Sequence, residues 1–88
     1  MMIVELEFDV PAAPERLAGR AAHRELLGRL REEGRLLMAG PWTDDAGALL
    51  VFDVDRAELD RIMAADPYYA LPGVRMAAVR EWRPVVGC

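Results

Sequence analysis

The chain has 88 residues, enough for one domain, and its 15 acidic and 11 basic residues give a net charge of -4. An acidic protein of this size lacks the positive surface that nucleic acids and anionic membranes require, so we expect neither as a partner. Hydrophobic residues make up 53% of the chain, a high share that favours a homodimer in which a second subunit covers part of the apolar surface.

The residue types that are missing narrow the chemistry open to the chain. It has no Lys, Ser, Asn or Gln, and it has one His and one Cys, the latter at the last position. A serine nucleophile, a Schiff-base lysine and a Gly-Lys phosphate loop are therefore excluded, and a zinc site cannot be built. Carboxylates remain able to hold a harder metal ion weakly, but we predict no metal and no cofactor. Histidine alone ordinarily titrates near neutrality, so His23 is the first candidate for acid–base chemistry.

The apolar segments of the chain are short. The longest near the middle covers residues 48–52, far too few to cross a bilayer. Acidic residues at positions 5 and 7 follow the first apolar residues at once, so we identify no signal peptide. Together these features predict a soluble cytoplasmic protein.

The first half of the chain predicts a strand, a helix and two further strands. Apolar and acidic residues alternate over about residues 3–10, the period-two pattern of a half-buried strand. A helix should follow over about residues 14–33, with Gly34 as its C-terminal cap. Strands at about 35–42 and 48–55 then flank the turn TDDAG. Near the buried face of the helix we expect Leu17, Ala21, Leu27 and Leu30.

The second half of the chain predicts a helix and a last strand. Asp55 suits the N-cap of that helix, and Glu58 three residues later completes a capping box. The helix should end near ADPYY, because Pro67 disfavours helical backbone at Asp66. The last strand covers about residues 74–83.

The resulting order is β-α-β-β-α-β over a single domain of residues 1–88, the arrangement of an α+β, ferredoxin-like fold. In this fold both helices cover one face of a four-stranded antiparallel sheet. The other face, with residues such as Leu49 and Val51, would be uncovered in a monomer. Two sheets packed face to face would bury it and enclose a pocket, which again favours a homodimer.

His23 occupies a place where a leucine would be expected, on the same helical stripe as Leu26, Leu27 and Leu30. One interpretation is a packed core histidine that finds a hydrogen bond locally. The other is a functional histidine whose ring is oriented by a carboxylate such as Asp66. Spacing alone does not bring the two residues together, so the pattern leaves both interpretations open.

Trp42 and the pair Asp44-Asp45 lie near the middle of the chain, and we expect different roles for them. Trp42, which follows Gly40-Pro41 at a strand end, is the aromatic residue better placed to line a pocket. Asp44 and Asp45 lie in the predicted turn, where we expect no chemical role for them.

The order of several motifs resembles the YCII-related family over about residues 3–85. The segment RAAHRELLGRLREEGRLLMAGPW is followed by LLVFDVD, ADPYY and VREWRPV. Its most specific parts are Arg-x-x-His on the first helix, Gly-x-Leu-x-x-x-Gly-Pro after it, and Asp-Pro-Tyr.

The resemblance implies a ferredoxin-like fold, dimers of the α+β barrel type and a His-Asp pair in a cleft. Position by position, that pair is His23 and Asp66. One activity of the family removes chloride from a chlorinated hydroxyquinone, and muconolactone isomerases share the barrel architecture. The residues expected to line the substrate pocket are Arg20, Gly40, Pro41, Trp42 and Tyr68.

Three kinds of function remain open. The first is a metal-independent acid–base enzyme, an isomerase, lyase or dehydrochlorinase, acting on a small cyclic oxygenated metabolite through the His-Asp pair. The second is a non-catalytic ligand-binding or accessory protein with the same fold and pocket. The third is a purely structural oligomeric module. We favour the first, because the resemblance supplies a partner for the histidine.

Overall fold

A computed structural model describes residues 1–9 and 13–87 and confirms the predicted order of elements. The elements are β1 (Met2–Phe8), α1 (Ala13–Glu32), β2 (Leu36–Pro41), β3 (Gly47–Phe52), α2 (Arg56–Ala65), a 3-10 turn (Pro67–Ala70) and β4 (Val74–Glu81). The predicted end of β1 at Val10 lies outside the described residues. The third strand ends three residues earlier than predicted, because the chain bends after Phe52 to reach the N-cap of α2.

The four strands form one antiparallel sheet in the order β2-β3-β1-β4. Val4 faces Leu50 across β1 and β3, and both side chains are almost completely buried. They share one apolar core with Leu30 of α1 and Leu59 of α2, so both helices pack on this face of the sheet. The alternation of apolar and acidic residues in β1 is the cause, since it places every second side chain in the core.

The second face of the sheet also carries apolar side chains. Ile3 is paired with Val51, and Glu5 with Leu49. Ile3 and Leu49 are half-buried, whereas Val51 is only 6% exposed. This face is therefore less open in the single chain than we expected from the sequence.

The buried stripe of α1 differs from the predicted one. Its three buried residues are Arg16, His23 and Leu30, spaced two turns apart. Leu17 is 48% exposed and Ala21 is also exposed, so both were wrongly assigned to the buried face. The physical reason is that the long side chain of Arg16 occupies the buried position where we expected Leu17.

The N-terminus of α2 has the predicted cap. Asp55 Oδ1 accepts a hydrogen bond from the backbone N–H of Glu58 at 2.8 Å. The Glu58 carboxylate instead accepts hydrogen bonds from Arg61 and Arg35, which hold the pKa of Glu58 below its ordinary value.

Gly47 begins β3 at a point where the backbones approach closely. A Cβ atom added there would meet the backbone carbonyl of Leu6 on β1, which cannot move without disturbing the strand pairing. We expect Gly47→Ala to lower the free energy of unfolding by about 1–3 kcal/mol, the usual range for overpacking. Urea denaturation measures this directly.

The matched control for that substitution is Gly28→Ala. Gly28 lies in α1 with nothing within 4 Å of an added Cβ. Replacing a glycine inside a helix by alanine raises stability by roughly 0.5–1 kcal/mol. The two alanine variants should therefore change stability in opposite directions, and a neutral Gly47→Ala would show that β1 and β3 adjust freely.

Candidate active site

The structure brings together two residues that are 43 positions apart in the chain. The ring of His23 on α1 lies 2.6 Å from the Asp66 carboxylate, measured from Nδ1 to Oδ2. Both residues are buried, with 7% and 6% of their surfaces exposed. A buried carboxylate is stable only when its oxygens are hydrogen-bonded, so this contact is part of what allows Asp66 to lie inside the protein.

The end of α2 explains the position of Asp66. The helix ends at Ala65, and Asp66 has extended backbone angles because Pro67 follows it. Asp66 Oδ1 then accepts a hydrogen bond from the Tyr68 backbone N–H at 3.0 Å, which caps the 3-10 turn. Each carboxylate oxygen of Asp66 thus has its own partner, and the side chain is held in one orientation.

Aromatic contacts hold the imidazole ring in place. The ring of Tyr68 stacks on that of His23 at 3.9 Å with 8° between the planes. Nδ1 faces the carboxylate, so Nε2 is on the far side of the ring. Within residues 1–9 and 13–87 no hydrogen bond reaches Nε2.

This geometry predicts which ring nitrogen carries the proton in the neutral imidazole. An ionised Asp66 only accepts hydrogen bonds, so the proton should lie on Nδ1 and leave Nε2 as the acceptor. The ¹⁵N chemical shifts of the single histidine, His23, distinguish the two tautomers. Asp66→Ala should shift the balance toward the Nε2–H tautomer, which prevails in free histidine. Identical spectra for the two proteins would contradict the pairing.

A cavity of about 430 Å³ lies beside His23, on the face of the sheet that the helices cover. It lies between α1 and the strands β1, β2 and β3, and its size is typical of sites for small molecules. We expected a pocket between two sheets, but this cavity forms within one chain. Of the predicted site residues, those that line it are Arg20, His23, Gly40, Pro41 and Tyr68.

Two predicted site residues do not line this cavity. Asp66 lies behind His23, bordering a second cavity between α1 and α2. Trp42 is 43% exposed and lies against Gly47, next to the turn of the β2–β3 hairpin.

The cavity is positively charged in a protein whose net charge is -4. Asp45 is the one acidic residue among the described residues that line it. The arginines that line it are Arg16, Arg20, Arg24 and Arg31. Much of the remaining wall is apolar, so the cavity suits a small, partly apolar anion.

A family model described as a YCII-related domain matches residues 1–83. The chain belongs to the YCII-related family. It is 39% identical over 64 residues to the uncharacterized protein YjpA of Bacillus subtilis. The matched segment covers 72% of this chain and 74% of YjpA. Among solved structures it is similar to 5-chloro-2-hydroxyhydroquinone dehydrochlorinase (TftG) of Burkholderia phenoliruptrix in complex with 2,5-dihydroxybenzoquinone, with a TM-score of 0.72, 22% identity and 94% of each chain covered. That similarity confirms the ferredoxin-like fold.

The sequence analysis did not identify most of the charged residues that line the cavity. Arg16, Arg24 and Arg31 were not singled out, and Asp45 was expected to have no chemical role. Arg16 and Asp45 form a salt bridge at 3.2 Å. The spacing of Arg16, Arg20 and Arg24 at intervals of four was the available signal, since it places all three on one side of the helix. No sequence pattern pointed to Asp45.

Neither a membrane span nor a metal cluster is found in the described part of the chain. None of its helices is long and apolar enough to cross a membrane. No group of three or more His, Cys, Asp or Glu side chains is placed to hold a metal ion there.

Tyr69 adds a further contact to His23 in this YCII-related protein. The two rings meet edge to face at 5.4 Å. The Tyr69 hydroxyl is buried and has no hydrogen-bond partner among the described residues. Burial, followed by the negative charge of Asp66, raises the pKa of Tyr69 well above its ordinary value.

Tyr69→Phe is therefore expected to leave the free energy of unfolding at neutral pH unchanged or to raise it by up to about 1 kcal/mol, because the lost hydroxyl had no partner. Above about pH 10 tyrosine ionises in the unfolded chain but not in the folded one, so the wild type loses stability as the pH rises. The variant lacks this contribution, and its advantage should grow in urea denaturation at alkaline pH. A marked loss of stability at neutral pH would instead indicate a hydrogen bond to the hydroxyl.

Proposed function

We propose that this YCII-related protein is an acid–base enzyme of the isomerase, lyase or dehydrochlorinase type, acting on a small cyclic oxygenated anion. The observation that carries the proposal is the buried His23–Asp66 pair beside a cavity lined with arginines. Asp66 holds one ring nitrogen, and the other is available to a ligand in the cavity.

The chemistry follows from the two ring nitrogens of His23. As a base, Nε2 takes a proton from the substrate, and the Asp66 carboxylate stabilises the imidazolium that results. As an acid, the same ring returns the proton at another position or to a leaving group. Removal of a proton next to a carbonyl leaves an enolate, whose negative oxygen the nearby arginines stabilise. These steps use no covalent nucleophile.

The substrate class is suggested by the structural neighbour. That protein is a dehydrochlorinase of a chlorinated hydroxyhydroquinone, and its structure is a complex with a dihydroxybenzoquinone. Both compounds are small, cyclic and rich in oxygen, which agrees with the size and charge of the cavity in this chain. We therefore propose a related ring compound that carries an acidic hydroxyl or a carboxylate.

A direct test is proton exchange in D₂O. With 2,5-dihydroxybenzoquinone as the probe, a functional His23 should speed deuterium incorporation at the ring carbons, seen as loss of the ring proton NMR signal. Release of chloride from 5-chloro-2-hydroxyhydroquinone, followed with a chloride electrode, tests elimination itself. Saturable binding of the probe without exchange or elimination would favour the alternative, a non-catalytic ligand-binding or accessory protein.

We further propose that the protein is cytoplasmic and forms a homodimer through the second face of the sheet. Ile3 and Leu49 on this face are half-buried, and a second copy would cover them. Light scattering should give about twice the 9.8 kDa mass of one chain. Leu49→Glu should give a mass near one chain, since burying an unpaired carboxylate is costly. A wild-type mass of one chain would contradict the dimer.

A further inference from the structure

We propose that Arg16 and Arg20 form the subsite of the cavity that binds an organic oxyanion, an enolate or a carboxylate, and that Asp45 is a built-in competitor for it. In the structure the Asp45 carboxylate occupies this subsite, and a ligand must displace it. The inference rests on the proposed function in one respect, that ligands enter this cavity.

The two arginines converge on a single oxygen. Nη2 of Arg16 is 3.2 Å and Nη2 of Arg20 is 3.5 Å from Asp45 Oδ2. They lie on successive turns of α1, on the side of the helix that faces the cavity. Two guanidinium groups directed at one oxygen are the arrangement by which proteins bind carboxylates and enolates.

Arg16 is buried beside the cavity, as a preorganised binding group is. Only 7% of its side chain is exposed, and its guanidinium lies 4.3 Å from the centre of the Phe8 ring. Its Nε is buried and has no hydrogen-bond partner within residues 1–9 and 13–87. Burying a guanidinium is costly unless its charge is compensated, and the Asp45 carboxylate compensates it in the structure.

The partner of Arg16 lies at the protein surface. Asp45 lies in the tight β2–β3 turn, and 48% of its side chain is exposed. Its backbone has φ 59°, a left-handed conformation that glycine adopts without strain and aspartate tolerates.

The position of the subsite also suits catalysis. Arg20 and His23 line the same cavity from the same helix, three residues apart. A planar ligand whose oxyanion replaces the Asp45 carboxylate would therefore lie in the cavity that His23 also lines. The displaced carboxylate can turn into water, because it is already half exposed.

The test compares the binding of 2,5-dihydroxybenzoquinone, which is an anion at neutral pH, with that of neutral hydroquinone, by calorimetry. Asp45→Asn keeps the size of the side chain and tolerates the same backbone conformation, but it removes the competing charge. We expect the state with Asp45 in the subsite to hold most of the wild-type molecules. Removing this competing state should raise the affinity for the anion about tenfold. Hydroquinone binding should change less than about twofold.

The charge-matched control is Asp60→Asn. Asp60 pairs with Arg56 on the surface of α2 and does not line the cavity, so its loss should leave anion binding unchanged. If both variants tighten binding equally, the effect is one of net charge and the proposal is wrong.

A double-mutant cycle separates competition from simple repulsion. Arg20→Gln should weaken anion binding less in the wild type than in the Asp45→Asn background. In the wild type the substitution also weakens the salt bridge by which Asp45 competes for the subsite. Additive effects would overturn the competition. If the wild type binds the anion and Asp45→Asn does not tighten it, only this inference fails. If neither protein binds either probe, the proposed function fails with it.

Discussion

His23→Asn is expected to lower turnover by about 10²–10⁴-fold, the usual contribution of a positioned acid or base, and to destabilise the fold less than His23→Ala does. The amide nitrogen of asparagine occupies the place of Nδ1, so the hydrogen bond to Asp66 is kept. The atom that is lost is Nε2, on the side of the ring away from Asp66. The measurements are turnover or deuterium exchange, together with a thermal melting curve.

His23→Ala is the contrasting variant. It removes Nε2 and also leaves the buried Asp66 oxygen without its partner, so it should lose both activity and roughly 1–3 kcal/mol of stability. If His23→Asn retains full turnover, the ring is only a packed histidine and the proposed mechanism is wrong. The two variants thus separate the two interpretations of His23, which the burial of the ring alone does not.

Asp66→Ala should lower the free energy of unfolding by roughly 2–5 kcal/mol, because two buried donors lose their acceptor. These are the His23 ring nitrogen and the Tyr68 backbone N–H, which also belongs to the cap of the 3-10 turn. Losses of this size are a large part of the total stability of a small domain. Urea denaturation with the midpoint and slope both fitted measures the change.

Two further variants provide comparisons for the loss of stability expected in Asp66→Ala. Asp66→Asn keeps one acceptor oxygen and should lose less than Asp66→Ala. Asp60→Ala removes a carboxylate whose side chain is 62% exposed, and it should change stability by no more than about 0.5 kcal/mol. Equal effects of Asp66→Ala and Asp60→Ala would show that the buried hydrogen bonds contribute little to folding.

The order of elements could be predicted from the sequence because each element has a local signature. The alternation in β1, the Asp55 cap of α2 and the Pro67 that ends it all depend on residues within a few positions of one another. Strand periodicity, capping and the restricted backbone before proline are short-range effects. The same holds for the position of His23 on the inner stripe of α1.

The site required the tertiary structure, because its contacts join distant parts of the chain. Periodicity places Arg16 no more favourably than Leu17, yet the arginine is buried and the leucine exposed. The difference arises from Phe8 and Asp45, which lie beside Arg16 only in the folded protein. A charged side chain is buried where a partner compensates its charge, and local sequence does not contain that partner.

What the sequence by itself determined was the fold, the family resemblance and the choice of His23 and Asp66 as candidates. Only the tertiary structure decided that their side chains meet at 2.6 Å and that Asp45 occupies the arginines of the cavity. The physical reason is the separation along the chain of the residues that interact. Secondary structure depends on interactions within a few residues, whereas the geometry of a site depends on side chains from separate elements that become neighbours only when the core packs.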